Sequence, residues 1–328
     1  MLKSVTLKII SIVIIIFVLA GVGIAFYYWQ KVSKIASSNS EKTVFEIKEG
    51  ESTLEIAEGL EEDGYIRSAW YFATLVKYRH HILQPGAYLI SPNMKVSEII
   101  NKISSGETSL IKITIPEGWR REQIAQYLDG QGSIEYQSFI TAAEGFDGKL
   151  FPDTFYVTLE TTAEDAVKLM NEDYIERIDG LEVSDNDLVL ASIVEREAKN
   201  NGERAAIAGV YKNRLNIDMK LEADPTVIYG SDNIELDKLS SDARKEYKFW
   251  KSISSLGYKN SQNPYNTYLF KGLPPGPICN PGLMSIEATL NYQKHNYYYF
   301  FHDADGDIHF SKTSTEHENA IAKYGLAQ

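Results

Sequence analysis

The feature that most constrains this 328-residue chain is a sequence that occurs twice. "FEIKEGESTLEIAEGLEEDGYI", starting at Phe45, returns as "ITIPEGWRREQIAQYLDGQGSI", starting at Ile113. Glu49/Glu117, Gly50/Gly118, Ile56/Ile124, Ala57/Ala125, Leu60/Leu128, Gly64/Gly132 and Ile66/Ile134 all keep one offset. With one residue of slip the likeness continues, as "PGAYLI" at Pro85 meets "PDTFYV" at Pro152 and "VSEIINKI" at Val96 loosely meets "AEDAVKLM" at Ala163. The region from about 44 to 175 therefore reads as a duplicated unit. Apolar spacing and turn residues make each copy a strand, a tight Glu-Gly turn, an amphipathic helix, a second helix, a Pro-started strand and a third helix. Two units stacked only for burial would look the same, so the repeat speaks to architecture and leaves activity open.

Upstream, "IISIVIIIFVLAGVGIAFYYW" from Ile9 to Trp29 carries no charged side chain. That is long enough for a hydrocarbon core of about 30 Å, and longer than the apolar region of a cleavable signal, typically about 7 to 15 residues. A transmembrane helix is expected at 9–29, with Tyr27, Tyr28 and Trp29 as an interfacial belt. Lys3 and Lys8 before the run nearly balance Lys31 and Lys34 after it, so orientation rests on the short N-terminal tail. This favours residues 1–8 in the cytoplasm, a linker at 30–43 and the body outside. Residues 1–30 hold two lysines and no acid, so the net charge of −12 becomes −14 for the rest. Such a body suits neither nucleic acid nor anionic lipid heads as a whole. The lone Cys279 excludes an intrachain disulfide.

The third block begins at Ser184, which forms with Asp187 a capping-box start for the helix containing "DLVLASIVEREAKN". A second helix, "RAAIAGVYKNRL", sets Ile207, Val210, Tyr211, Arg214 and Leu215 at helical spacing. "NPYNTYLFKGLPPGPICNPG" holds five of the ten prolines and can be neither helix nor central strand. Irregular stretches of that length are usually functional or disordered, and the Tyr and Phe side chains between 258 and 270 argue against disorder. "NYYYFFHDADGDIHFSKT" reads as an aromatic hairpin about an Asp-Gly turn, followed by a closing helix from about Ser314. The fold class expected is α+β.

Among possible chemistries, His302, His309 and His317 lack a zinc spacing, and "DADGD" from Asp303 departs from a calcium loop because Gly306 and Ser314 stand at the wrong places. No nucleophile elbow and no phosphate-cradling glycine loop is present, so no metal and no cofactor is expected. Carboxylate chemistry remains. A glutamate near the end of a largely buried helix loses solvation, which raises its pKa and lets it protonate a glycosidic oxygen. Glu195 and Glu197 are two apart and point to nearly opposite sides of a helix, so only one can face a given cleft. Glu195 neighbours Leu188 and the small Ala191 and Ser192, which leave room above its carboxylate, whereas Glu197 neighbours Leu190, Ile193 and Val194. Pattern favours Glu195 only slightly, and an ordinary charged helix end would read alike.

"LFPDTFYV" from Leu150, "LASIVERE" from Leu190, "AGVYKNRL" from Ala208, "ADPTVIYG" from Ala223, "PYNTY" from Pro264, "GLPPGPICNPG" from Gly272 and "HFSKTSTEH" from His309 resemble, in order, the motifs of the endolytic murein transglycosylases. The resemblance covers nearly all of the chain after the apolar run. It implies a bacterial cell-membrane enzyme with a LysM-like α/β subdomain at 44–110 and a mixed catalytic domain at 111–328. The implied reaction is non-hydrolytic cleavage of the MurNAc-GlcNAc bond in nascent peptidoglycan strands, leaving 1,6-anhydroMurNAc ends and terminating elongation. Peptidoglycan strands and peptidoglycan synthases are the implied partners, with no nucleic acid. It assigns the helix-borne acid to Glu195 and cleft contacts to Asp224, Thr226, Tyr229, Tyr265, Asn266, Thr267, Tyr268, Pro275 and Gly276. One carboxylate suffices when the sugar's own 6-hydroxyl attacks, whereas hydrolases of such bonds usually need two. One departure stands out: Glu222 replaces an amide common in the family, and near Glu195 it would raise that residue's pKa. The rival readings are a non-catalytic peptidoglycan-binding scaffold, and a hydrolase with Asp153 or Glu222 facing Glu195.

Overall fold

Both copies of the repeat begin alike, with a short strand running into a Glu-Gly turn. The glycines there take φ of 89° at Gly50 and 76° at Gly118, a left-handed conformation that a side chain would strain. The computed structural model describes residues 14–23, 26, 27, 29, 30, 32–106, 110–158, 160–251 and 262–325. The chain divides into two units, Met1–Lys112 and Ile113–Gln328.

In the first unit β1 (Thr43–Ile47), α1 (Thr53–Glu62), α2 (Ala69–Tyr78), β2 (Gly86–Ile90) and α3 (Val96–Ser105) follow one another. β1 pairs antiparallel with β2, Thr43 opposite Ile90 and Ile47 opposite Gly86. A two-stranded ribbon is marginal alone. Here Phe45, Ile47, Tyr88 and Ile90 on the ribbon bury against Leu60, Phe72, Ile99 and Ile103 of the helices. Ser52 and Glu55 cap α1 reciprocally, satisfying donors the first turn leaves open. Further upstream, residues 14–23 are helical and Ile14, Ile15, Ile16, Phe17, Val18 and Leu19 are exposed. No helix among the described residues is long and apolar enough to cross a membrane. The expected span Ile9–Trp29 lies partly outside the described residues, at 9–13, 24, 25 and 28.

The second unit opens with the same order: β3 (Ile111–Thr114), α4 (Arg121–Gly130), α5 (Tyr136–Ala142), β4 (Thr154–Val157) and α6 (Ala163–Arg177). β3 and β4 again form a two-stranded sheet. Then come α7 (Asp185–Glu197), α8 (Arg204–Asn216), α9 (Asp224–Lys238), α10 (Ser241–Lys245) and α11 (Leu283–Leu290). The hairpin β5 (Tyr299–His302) and β6 (Ile308–Ser311), with Tyr299 opposite Ser311, and α12 (Ser314–Tyr324) close the chain. The mixed α+β class is as the sequence indicates. α7 is buried all round between Leu188 and Val194 because α8, α11 and the Pro-rich segment enclose it. That segment, residues 264–282, contains neither helix nor strand.

The irregular segment preceding β5 crosses α8 at close range. A β-carbon on Gly209 would lie 2.3 Å from the Gln293 carbonyl oxygen, where Gln293 N–H donates to Ala205 O at 2.9 Å. Gly209→Ala is therefore expected to destabilise the fold by about 1–3 kcal/mol, read by urea denaturation. Gly130→Ala, where a β-carbon meets nothing within 4 Å, should leave the midpoint unchanged or raise it.

Candidate active site

α7 starts where Ser184 and Asp187 cap each other's backbone N–H groups, and it ends carrying Glu195 and Glu197. The two faces of this helix meet different surroundings. On the Glu195 side the Pro-rich segment lies against the helix: Ile278 N–H donates to Ser192 Oγ at 3.0 Å and Cys279 Sγ to the Ser192 carbonyl at 3.3 Å. The room expected above Ala191 and Ser192 is therefore filled. Glu195 accepts from Gly282 N–H at 3.1 Å and from Ser285 Oγ at 2.8 Å, and it pairs with Arg204 Nη1 at 3.1 Å. Its side chain keeps 6% exposure. Arg204 also lies 3.7 Å from Glu117 Oε2, and burial, with the negative charge of Glu195, pushes the Glu117 carboxyl up against the pull of Arg204. Glu195 thus ties α7 to α8, α11 and the Pro-rich segment.

Glu197 faces the other way, into a cavity of about 400 Å³ whose wall includes Tyr211, Arg214, Glu222, Asp224, Tyr268, Tyr299 and His317. Tyr211 Oη donates to Glu197 Oε1 at 2.8 Å. Loss of solvation pushes the Glu197 carboxyl up to about 7, with the Asp224 charge adding to the shift and the Tyr211 hydrogen bond opposing it. Tyr268 Oη donates to Asp224 Oδ1 at 2.6 Å, and burial followed by that hydrogen bond raises the Tyr268 pKa, so its hydroxyl stays a donor. Arg214 lies 3.5 Å from Glu222, donates to the Leu221 and Tyr298 carbonyls at 2.7 and 2.6 Å, and sits over the Tyr299 ring. The result is a polar cavity with one carboxyl poised near neutrality, other carboxylates engaged by partners, and aromatic and hydroxyl groups around them.

The expected cleft residues do not gather around one site. Asp224 and Tyr268 reach the Glu197 cavity. Tyr229 lines a separate 290 Å³ cavity with Arg121 and Glu122, under the Arg120 guanidinium. Tyr265, Pro275 and Gly276 line a third, of 350 Å³, with Asp147 and Lys149. Thr226, Asn266 and Thr267 are buried at 0, 1 and 2% exposure. Thr226 Oγ1 and Thr267 Oγ1 are 2.8 Å apart, while Ala223 N–H donates to Thr267 Oγ1 and Glu222 N–H to the Thr267 carbonyl. These residues clamp the turn carrying Glu222, whose φ of 49° is left-handed, and so fix Glu222 and Asp224 at the cavity wall. Glu222 stands beside Glu197 in that wall, and Asp153 pairs with Arg177. Sequence reasoning missed Tyr211 and Arg214 as site groups, although both were visible as polar tips on the apolar face of α8. His302 pairs with Glu203 and His309 with Asp303, and no metal-ligand cluster occurs among the described residues.

Comparison with known proteins extends this picture, since the sequence pattern of the YceG-like family matches residues 45–323. The chain belongs to the YceG-like family. It is similar to the endolytic murein transglycosylase of Bacillus subtilis, 30% identical over 343 residues, covering 92% of this chain and 91% of that one. The endolytic murein transglycosylase of Streptococcus pneumoniae is 27% identical, covering 88% of this chain and 59% of the relative. A 2.6 Å crystal structure of a YceG-like protein from Listeria monocytogenes matches with TM-score 0.50 and 30% identity, over 86% of this chain and all of that one. The first two relatives are named as enzymes.

The raised carboxyl has a consequence for this YceG-like chain that is independent of activity. Glu197 ionises near 4.5 when unfolded and near 7 when folded, so between those values the folded chain holds a proton the unfolded chain lacks. Stability from this group is greatest below 4.5, falls as pH rises to 7, and is constant above. Glu197→Gln should therefore stabilise the fold at pH 8, by roughly 1–3 kcal/mol, and change it little at pH 4, as thermal melts at the two pH values will read.

Proposed function

We propose that this chain is a membrane-anchored lytic transglycosylase that cleaves peptidoglycan strands with Glu197, not Glu195, as its acid and base. The observation that carries the reading is the Glu197 carboxyl, raised to about 7 in the wall of an open polar cavity. Glu195, by contrast, is engaged by Arg204, Gly282 and Ser285. The two relatives named endolytic murein transglycosylases support the substrate class.

In the reaction, protonated Glu197 gives its proton to the glycosidic oxygen as the bond from the muramyl C1 breaks. The 6-hydroxyl of the same sugar then bonds to C1, and its proton passes to the Glu197 carboxylate, restoring the acid. The product ends are 1,6-anhydromuramyl, and neither water nor a cofactor is consumed. Tyr211 aligns the carboxyl, and burial with the added charge of Asp224 keeps its proton near neutral pH. Arg214 offers a donor to acetamido or hydroxyl groups, and the Tyr268 oxygen, its hydrogen given to Asp224, can accept from a sugar hydroxyl. The first unit acts as a LysM-like glycan holder at 44–110, ahead of a catalytic domain at 111–328. The apolar run at 9–29, helical at 14–23 with exposed aliphatic side chains, is read as a cell-membrane anchor placing the body outside. There the enzyme would work beside peptidoglycan synthases and end strand elongation.

A hydrolytic alternative is favoured by one observation, that Glu222 and Asp224 share the cavity with Glu197 and could activate water. Digestion of uncrosslinked glycan strands with mass analysis of the ends separates the two: anhydro ends are expected, and reducing ends would establish hydrolysis. Glu197→Gln should lower turnover by about 10²–10⁴-fold. Glu195→Gln should retain turnover once folded, while costing about 3–5 kcal/mol of stability by leaving Arg204 poorly paired. A folded but inactive Glu195→Gln beside an active Glu197→Gln would reverse the assignment. Because activity needs protonated Glu197, Tyr211→Phe should move the alkaline limb of kcat/KM to higher pH, and Asp224→Asn should move it lower.

A further inference from the structure

α2 has two apolar faces. Phe72 and Val76 are buried in the core of the first unit, yet Trp70 and Tyr78 on the opposite side are 67 and 80% exposed, and Ile82 just beyond is 74% exposed. A helix on the surface of a globular unit normally turns polar residues outward. The repeat supplies an internal control. Aligned through the caps Ser68 and Glu135 and the buried Phe72 and Phe139, Trp70 matches the exposed Gln137 of α5. Packing of this unit thus does not require an aromatic side chain there.

The charge of this segment is also unlike the rest. From Arg67 to Ile82 there are three basic and no acidic side chains, in a chain of net charge −12, and Lys77 and Arg79 are exposed beside Tyr78. The face adjoins the end of the apolar N-terminal run: Trp29 and Val32 line a 470 Å³ apolar cavity together with Trp70, Thr74 and Tyr78. The segment between is held down. Val32 is 6% exposed, Arg67 donates to the Ile35 and Ala36 carbonyls at 2.8 and 3.3 Å, and Ser37 N–H donates to Pro92 O at 3.0 Å.

We propose that the Trp70–Tyr78 face of α2, with Lys77 and Arg79, lies in the headgroup layer of the membrane that holds the N-terminal helix and binds anionic phospholipid. Trp and Tyr favour that layer because they pair an apolar ring with a polar edge, and Lys and Arg favour its phosphates. Arg67, by gripping the linker, keeps the face from swinging away from the anchor. The acidic body as a whole would be repelled by such lipids, so this patch sets which side of the first unit meets the bilayer.

The inference rests on the anchor reading above, and one experiment separates them. The full chain is reconstituted in nanodiscs of phosphatidylcholine with phosphatidylglycerol, and spin labels are placed singly at Ile16→Cys, Thr74→Cys and Glu58→Cys. Cys279 is buried and stays unlabelled. Collisions with oxygen, which concentrates in lipid, are compared with collisions with a water-soluble nickel chelate. The oxygen-to-nickel ratio is expected to be highest at 16, several-fold above the aqueous value at 74, and aqueous at 58. It should fall toward the aqueous value at 74 in discs without phosphatidylglycerol or after Lys77→Glu with Arg79→Glu. A lipid value at 16 with an aqueous value at 74 overturns the inference and leaves the anchor standing, whereas aqueous values at both overturn the anchor itself. A label at 74 shielded from both probes would assign the face to a protein partner and overturn it too, and a ratio at 74 indifferent to lipid charge would remove anionic lipid as the ligand.

Discussion

Everything around the cavity depends on how α7 is held, and the ion pair between Glu195 and Arg204 anchors the end of it that carries both glutamates. Arg204 is almost fully buried, and a buried guanidinium needs a carboxylate and further acceptors to be tolerated. Glu195 supplies the charge, Glu117 adds a second one at longer range, and Ser285 Oγ accepts from Arg204, while Gly282 N–H and Ser285 Oγ donate to the other Glu195 oxygen. The rotation of α7 is fixed by these contacts. Glu197, two residues on and on the far side, is then carried to the cavity wall.

The two neighbouring glutamates differ in solvation and in partners. Glu195 meets a cation and two further donors, so its charge is compensated. Glu197 loses solvation, and the negative charge of Asp224 adds to this against the single Tyr211 hydrogen bond, so its neutral form gains. A pKa near neutrality is what a group must have to give up a proton and take it back in one turnover. Glu222 adds a carboxylate beside it, but Arg214 answers that charge, and the clamp through Thr226 and Thr267 holds the turn in place.

Much of the fold was legible because local signals agreed with each other. The Ser184 and Asp187 cap, the Gly50 and Gly118 turns, the Asp-Gly hairpin and the helical spacing in α8 all depend on short-range chemistry, and the structure has each of them. The site was less legible. Choosing between Glu195 and Glu197 needs the partner on each side of the helix, and Arg204, Ser285 and Tyr211 are remote in sequence. Small residues near Glu195 suggested space, when Ile278 and Cys279 fill it. Thr226, Asn266 and Thr267 carry polar groups suited to sugars, but their hydroxyls and amides serve turns, a use no spacing reveals.

The central claim is that Glu197 is a carboxyl in the cavity wall poised to exchange a proton near neutral pH. It is tested most directly by following glutamate side-chain ¹³C shifts with pH in the labelled chain, with the Glu197 resonance identified by its loss in Glu197→Gln. A midpoint of about 7 is expected. A midpoint near the ordinary glutamate value of 4.5 would contradict the account.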